Sequence, residues 1–340
     1  MHDVAAAAGV SIATVSNVLN HPEKVLEGTR TTVHEAIREL GFVRNDAARS
    51  LASGRNLTIG FVATDLANTF FVDIARGAQD AALEEDRHVL IANSDVKASL
   101  QETHLALFDE ARVAGIVLAP LGGPPPGVES LRAHGRPIVV VNHASVRTDV
   151  CSVLIDNEEV GFIAAEHLIA LGRRRLAFCS VAGDSDQAIR ERRAGVRRAV
   201  AAHPGVVLED IDTIDLETPG GIQAGHEIAS RPAAERPDGV VAVADAVGSA
   251  ITRVLVGEAH LRVPEDVAVI GCDHNLSGRE GGIPLSSVSQ RGYDIGVEAV
   301  RLLAQEIADQ GGEHVHRTVV LQPSVIADES TIGRDRAIGG

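Results

Sequence analysis

Residues 3–20 read DVAAAAGVSIATVSNVLN, and the reading of the whole chain turns on them. Ala5, Ala6, Val10, Val15 and Leu19 recur at helical spacings, and Ala8-Gly9-Val10-Ser11 breaks the run where two short helices would turn. Ser11 is placed to cap a second helix over Ile12–Asn20, because its hydroxyl can accept from a backbone N–H that the first helical turn leaves unpaired. Two helices joined by such a turn make a helix-turn-helix unit, whose second helix enters the DNA major groove with its N-terminal half towards the base edges. On that geometry Ile12, Ala13, Ser16 and Asn17 face bases, Ser11 and Thr14 face phosphates, and Val15 and Leu19 turn inward. The plainer alternative for so short a stretch is a helical hairpin packed against another part of the protein.

Further along, Gly28-Thr29 precedes a helical pattern over Arg30–Leu40, in which Val33, Ala36, Ile37 and Leu40 form one apolar stripe and Gly41 is the stop. Val10, Val15, Leu19, Val33, Ile37 and Leu40 are then enough for one small core. After Phe42-Val43-Arg44-Asn45 comes Asp46–Ser53, too short to hold a helix by itself, since isolated helices under about 12 residues are marginal in water.

The segments DVAAAAGVS, TVSNVLN, TR, LGF, N and AARSLASG, in this order over residues 1–60, resemble the headpiece of the lactose/galactose-repressor (LacI/GalR) family of bacterial transcription regulators. The resemblance implies that Asp46–Ser53 is a hinge helix that folds when two subunits meet on a roughly palindromic operator. It also implies that Leu51 of each subunit wedges between central base steps of the minor groove, where the contacts of a bent duplex offset the unstacking. Arg30, Asn45 and Arg49 join the DNA-binding set on the same basis. Two positions depart from the family: Asn17 stands where arginine is frequent, and Arg44 where proline is. Asparagine suits adenine edges and arginine suits guanine, so the family's usual base preference does not carry over to Asn17.

The 340 residues carry a net charge of -16, which taken alone argues against nucleic acid. Its distribution removes much of the conflict. In the headpiece Lys24, Arg30, Arg38, Arg44, Arg49 and Arg55 are matched by Asp3, Glu23, Glu27, Glu35, Glu39 and Asp46, so the acidic excess lies in the body. Nonspecific DNA affinity depends on neutralising phosphates; an acidic body weakens it and leaves Arg30, Arg44, Arg49 and Arg55 as the local contacts. A hydrophobic content of 45% with 13 prolines argues against disorder, and an aromatic content of 2% leaves aliphatic side chains to fill the cores. No basic region precedes an apolar run ahead of the first helix, and no apolar run reaches membrane-spanning length; a cytoplasmic location is expected. The three cysteines, Cys151, Cys179 and Cys272, lie in or near apolar strand patterns without paired metal spacing, as reduced structural thiols would. His-Glu-x-x-His, the phosphate-binding glycine loop and G-x-S-x-G are all missing from the sequence. Neither an enzyme, a cofactor nor a metal is expected.

From Leu57 the pattern alternates: TIGFVA at Thr58–Ala63 as a buried strand, a helix at Phe70–Arg87, strands at His88–Ala92, Gly115–Ala119 and Pro137–Val141, and helices between. A second series follows Ser152–Ile155, with Leu176–Val181, a short Thr213–Asp215, Gly239–Val243 and Val267–Ile270 as strands. Strands alternating with helices of this size give an α/β fold with parallel sheets and helices on both faces. Residues 60–332 resemble the family's two-lobed, periplasmic-binding-protein-like effector domain. The expected organisation is a helix-turn-helix headpiece over 1–45, a hinge helix and linker over 46–56, and an effector domain over 57–332 with a flexible tail over 333–340. The first lobe takes 57–156 and 285–315 and the second 157–284 and 316–332, so the chain crosses between lobes three times.

A cleft between such lobes, at the carboxyl ends of the strands, is where a small ligand binds. The resemblance places Asp65, Phe70, Phe71, Asn142, Arg192, Asp245 and Asp273 around the effector, with Phe70 or Phe71 stacking on a sugar face or serving as core. Arg192 brings five donors suited to hydroxyls or carboxylates, and its neighbours Arg190 and Arg193 are read as surface residues. Asp273 is the ligand-accepting acid or a turn cap, and His143 and His274 can enter the cleft. Two departures from the family pattern, Ala244 for a frequent asparagine and Leu216 near a frequent aromatic wall, thin the sugar contacts. A sugar is the commonest effector in the family; a nucleobase or another metabolite stays open. The polar tail has no leucine heptad, so a homodimer is expected, joined through 71–82 and 96–111 of the first lobe. The whole reads as a DNA-binding regulator, a repressor by the family's commonest action, and the alternative is a solute-binding or sugar-processing protein with a vestigial headpiece.

Overall fold

The computed structural model describes residues 1–42, 56–122, 125–143, 148–183, 187–275, 282–309 and 314–337. They belong to two compact units, residues 1–56 and 57–340. In the first, α1 (His2–Ala8), α2 (Ile12–Asn20) and α3 (Glu27–Glu39) close over Val4, Ala5, Val15, Val18, Val33 and Ala36. Gly9 ends α1 in the left-handed conformation at φ 64°, which glycine adopts without a Cβ penalty. The Ser11 hydroxyl then accepts from the Thr14 N–H at 3.1 Å and caps α2.

Three expectations for this unit need correction. The helix α3 starts at Glu27 rather than Arg30, because Gly28-Thr29 sits inside its first turn and Thr31 and Thr32 bond back to the carbonyls of Glu27 and Gly28. Leu40 is 49% exposed and is not core. Gly41, at φ 58°, turns the chain so that the Phe42 N–H bonds the Ile37 carbonyl, and Phe42 packs on the cluster that Leu40 was expected to complete. Val18, rather than Leu19, is the fully inward residue at the end of α2. Asn45, Arg49, Leu51 and the expected hinge helix Asp46–Ser53 lie outside the described residues.

The second unit begins with β1 (Thr58–Ala63), α4 (Thr69–Glu84), β2 (His88–Asn93), α5 (Ala98–Glu110), β3 (Gly115–Leu118), α6 (Gly127–Ala133), β4 (Ile138–Val141) and β5 (Cys151–Ile155). The second series is α7 (Asn157–Ala170), β6 (Arg175–Val181), α8 (Gln187–Ala202), β7 (Val207–Thr213), α9 (Thr218–Ser230), β8 (Gly239–Ala242), α10 (Asp245–Gly257) and β9 (Ala268–Gly271). The chain ends with β10 (Ser286–Ser289), α11 (Gly292–Ala308), β11 (Thr318–Leu321), β12 (Ser324–Ile326), α12 (Glu329–Ile332) and α13 (Arg334–Ala337). Two six-stranded sheets result, ordered β11-β5-β4-β3-β1-β2 and β12-β10-β9-β8-β6-β7. Every pairing is parallel except β10 with β12. Helices on both faces bury strands such as GIVL, IVVV and AVIG completely, which is why they read as unbroken apolar runs.

The allocation of the last strands differs from expectation. Residues 286–289 do not return to the first lobe but pair with β9 in the second, and residues 318–321 join β5 in the first rather than the second. The reason lies in the serines: Ser286 and Ser287 are fully buried, and Ser287 Oγ finds its acceptor in Asp245 at 2.6 Å while Ser286 Oγ finds the Asp328 carbonyl at 2.8 Å, both in the second lobe. TVVL is a half-exposed edge strand that fits the border of either sheet. Three crossings remain, after β5, β10 and β11. The strand β7 is longer and earlier than Thr213–Asp215, since an edge strand reading VLEDIDT keeps its acids in water and hides its pattern. Arg334–Ala337 forms a short helix in place of a flexible tail. Within residues 71–82, Phe71, Ile74, Ala75, Ala78, Ala81 and Ala82 are buried in the first-lobe core, which leaves Arg76, Gln79 and Asp80 as the exposed face of that segment.

In each lobe two helices cross with backbones in contact. A Cβ on Gly77 of α4 would lie 1.9 Å from the Tyr293 carbonyl oxygen of α11, and one on Gly161 of α7 would lie 1.9 Å from the Arg192 carbonyl oxygen of α8. The second crossing fixes the height of Arg192 in the lobe.

Candidate functional site

On α2 the side chains sort by exposure as a groove-reading helix requires. Ser11, Ala13 and Asn17 are exposed, Ile12 is 39% exposed, Thr14 and Ser16 are half-buried, and Val15 and Val18 are buried. Ser11 and Thr14 share a hydroxyl contact of 2.8 Å at the N-terminus of the helix, where phosphate is favoured by free N–H groups and the helix dipole. Asn20 donates to Ser16 Oγ at 3.2 Å, which ties one expected base-facing residue to a neighbour that the sequence reading did not include. Arg30 reaches the Pro22 carbonyl at 3.4 Å and Glu27 at 3.3 Å, so it braces the turn after α2.

In the body, the carboxyl ends of β1, β4, β8 and β9 open onto a cleft with two connected chambers of about 420 and 610 Å³ that share Thr64, Phe71, Leu121, Asn142 and Ala188. The smaller chamber brings together six of the seven expected effector residues: Asp65, Phe70, Phe71 and Asn142 from the first lobe, and Arg192 and Asp273 from the second. Phe70 and Phe71 are 3% and 8% exposed and meet edge to face at 5.3 Å, so they serve both the core and the apolar wall. Leu216 and Ala244 line the same chamber.

Asp245 is the exception. It is fully buried behind the wall, where its carboxylate accepts from Ser287 Oγ at 2.6 Å and from the backbone N–H groups of Asp273 and Asn275 at 3.1 and 3.0 Å. Its expected place as an effector contact is therefore corrected to that of a support for the turn carrying Asp273. Asp245 sits at the start of α10, directly after β8, and β8 neighbours β9, so the two acids are brought close by topology alone. Burial pushes the Asp273 carboxyl well above the usual carboxylate range, the nearby Asp245 adds to this, and Arg192 opposes it.

Arg192 is 7% exposed. Its Nε donates to Asn157 Oδ1 at 3.0 Å, one terminal nitrogen to the Val243 carbonyl at 2.8 Å and the other to Gln290 Oε1 at 2.7 Å, with Asp273 Oδ1 at 3.9 Å. Gln290 in turn donates to Asp273 Oδ1 at 2.5 Å and to the Cys272 carbonyl. Of the five guanidinium N–H groups, three are held by Asn157, Val243 and Gln290, and the other two have no hydrogen-bond acceptor among the described residues. Asn142, at φ 55°, presents a buried Oδ1 with no hydrogen-bond partner among the described residues. Asn157 and Gln290 were missed by sequence reading; the signal available was the polar run SSVSQ at 286–290, too polar for a buried strand unless its groups are paired inside. Arg193, read as a surface residue, is buried against Ser180, Val181 and Gly183. Arg190 and His143 line the larger chamber, whereas His274 does not line either one. No helix among the described residues is long and apolar enough to cross a membrane.

Comparison with known proteins agrees with both halves. Residues 1–45 match the bacterial regulatory proteins of the lacI family, and residues 165–331 match the periplasmic binding protein-like domain. The chain is 31% identical to the HTH-type transcriptional regulator RegA of Clostridium saccharobutylicum over 335 residues, covering 97% of this chain and 98% of that protein. It is 31% identical to catabolite control protein A of Priestia megaterium over 312 residues, covering 90% and 91%. The solved transcriptional regulator CelR in its cellobiose complex superposes with a TM-score of 0.68 at 31% identity, covering 97% of this chain and 98% of that one. With a reading helix at one end of the chain, a two-lobed cleft at the other and relatives that match both along nearly their whole length, this chain belongs to the LacI family of bacterial regulatory proteins and is a sequence-specific DNA-binding regulator, not an enzyme.

Proposed function

We propose that this regulator is a cytoplasmic homodimeric repressor whose operator affinity is set by a sugar bound between the two lobes. One observation carries the ligand class: unused donors on Arg192 and an unpaired buried acceptor on Asn142 face the same chamber from opposite lobes. A hydroxyl both donates and accepts, so a polyhydroxyl ring satisfies both walls, while Phe71 and Leu216 supply apolar surface for its carbon face. The cellobiose held by the 31% identical CelR supports the same class. Asp65 and Asp273 add acceptors, and a ligand that touches both lobes favours one lobe angle by as much as it binds that angle more tightly.

DNA recognition in this reading falls to Ser16 and Asn17, with Ser11, Thr14 and Arg30 on phosphates and Asn45, Arg49 and Leu51 completing the contact. Asn17→Ala is expected to relax preference at one base pair of each half-site by about 1 to 3 kcal/mol while leaving nonspecific binding intact. A sequence-selection assay in which the variant keeps the unmodified preference contradicts the assignment.

The second copy is placed on the first-lobe surface of β2 and α5. There Leu90 and Leu107 are 51% and 53% exposed, apolar side chains on the α5 side of the sheet that a second copy would cover. Leu90→Glu with Leu107→Glu is expected to raise the dimer dissociation constant more than tenfold in sedimentation equilibrium; an unchanged constant moves the interface elsewhere.

A further inference from the structure

At the end of the first sheet opposite the cleft, three side chains converge, a histidine pair two residues apart and a cysteine remote from both in sequence. Cys151 opens β5, and His314 and His316 stand just ahead of β11, whose Thr318 pairs with Ser152. Cys151 Sγ lies 3.2 Å from His314 Nε2 and 3.8 Å from His316 Nδ1, and the three atoms all lie within 4.8 Å of one another. Glu306, in the last turn of α11, adds a fourth group. Its Oε1 pairs with Arg132, while Oε2 stands 4.0 Å from His316 Nδ1 and is buried with no hydrogen-bond partner among the described residues. The Glu306 side chain is 9% exposed, so an oxygen left without a hydrogen bond there carries a desolvation cost that the Arg132 pair offsets only in part.

We propose that Cys151, His314, His316 and Glu306 form a binding site for a divalent transition-metal ion of the zinc type, separate from the effector cleft. A tetrahedral zinc centre sets its sulfur and nitrogen ligands about 3.6 Å apart, and the observed separations of 3.2 and 3.8 Å bracket that value. Glu306 Oε2, 4.0 Å from His316 Nδ1, lies outside the tight group of the other three atoms and has to swing inward to complete the centre. One thiol, two imidazoles and one carboxylate select a zinc-like ion over magnesium or calcium, which prefer all-oxygen sites.

Charge balances around the site. A divalent ion and Arg132 are offset by the Cys151 thiolate, Glu306 and Asp149, the last 3.9 Å from Arg132 Nε. Arg132 also lies 3.3 Å from His316 Nε2; donating there, it keeps the ring proton on Nδ1. Metal binding moves that proton to Nε2 and turns Arg132 fully onto its carboxylates, and the thiol releases its own proton to solvent, one per ion. The bound ion would clasp β5, β11 and the end of α11 together, at the end of the sheet where β1 begins.

The test uses the full chain stripped of metal by chelation and titrated with cobalt(II). One ion per chain is expected, with the ligand-field bands of a tetrahedral centre and a sulfur-to-cobalt charge-transfer band, and zinc is expected to displace the cobalt and raise the melting temperature. Cys151→Ser should remove the charge-transfer band and Cys179→Ala should keep it. His314→Gln, at a half-buried position, should fold normally by circular dichroism and bind cobalt at least tenfold more weakly. A charge-transfer band that is absent at one equivalent, that survives Cys151→Ser, or that is unaltered in affinity in His314→Gln overturns the proposal.

Discussion

Arg192→Ala is expected to abolish the response of operator binding to the cleft ligand and to destabilise the effector domain by about 3 to 5 kcal/mol, the usual cost of removing one partner from a buried charge pair. Asn157 Oδ1, the Val243 carbonyl and Gln290 Oε1 each lose a donor, and Asp273 loses the one positive charge that pulls its pKa down. The pH dependence follows. With burial and Asp245 then opposed only by the hydrogen bonds from Gln290 and the Asp245 N–H, the folded variant holds Asp273 protonated at pH values where the unfolded chain has already released that proton. Stability therefore falls as pH rises from the ordinary aspartate range towards neutrality, and it falls further in the variant than in the unmodified protein. Chemical denaturation at several pH values, monitored on the body, reads both effects. A variant that unfolds at the unmodified midpoint across the range contradicts the place given to Arg192.

Gly161→Ala is the second large effect. The new methyl would stand 1.9 Å from the Arg192 carbonyl oxygen, and neither group is the end of a flexible side chain, so α7 and α8 must separate. Overpacking of this kind costs about 3 kcal/mol, and the displacement moves Arg192 relative to Asp273, so ligand affinity should drop as well although residue 161 touches no ligand. Gly28→Ala is the internal control. No atom stands within 4 Å of that added methyl, and in a helix alanine is favoured over glycine by up to about 1 kcal/mol, so the headpiece should become more stable. Thermal unfolding of the two variants should move in opposite directions; a shift of the same sign in both removes the argument from helix contact.

What the sequence disclosed and what it concealed divide along a physical line. The cap at Ser11, the turn at Ala8-Gly9-Val10-Ser11 and the apolar runs of the central strands were legible because each depends on residues a few positions apart or on burial on both faces. Leu40 was misplaced because the helical stripe was carried up to the residue before Gly41, whereas the helix ends at Glu39 and the turn at Gly41 brings Phe42 to the core instead. The strand β10 was assigned to the wrong lobe because the fate of its serines is decided by Asp245 and Asp328, 42 residues away in either direction. Arg193 looked like a solvated neighbour of Arg192, yet successive helical residues point about 100° apart, and the face next to the cleft wall happens to meet Ser180 and the carbonyl of Gly183. Of the cluster at Cys151, only His314-x-His316 is visible in spacing, since the thiol lies 163 residues away and edge pairing of β11 with β5 brings it there.

In the proposed function a ligand in the cleft alters DNA affinity through the angle between the lobes. The most direct measurement is an operator titration of the unmodified dimer, with and without a saturating saccharide identified by calorimetry from a panel of monosaccharides and β-linked disaccharides that includes cellobiose. A change in operator dissociation constant of about 5- to 150-fold, the range of ordinary allosteric coupling, is predicted, together with the reciprocal change in saccharide affinity when operator is present. A saccharide that occupies the cleft while leaving the operator constant unchanged, or a panel in which none binds, contradicts the account.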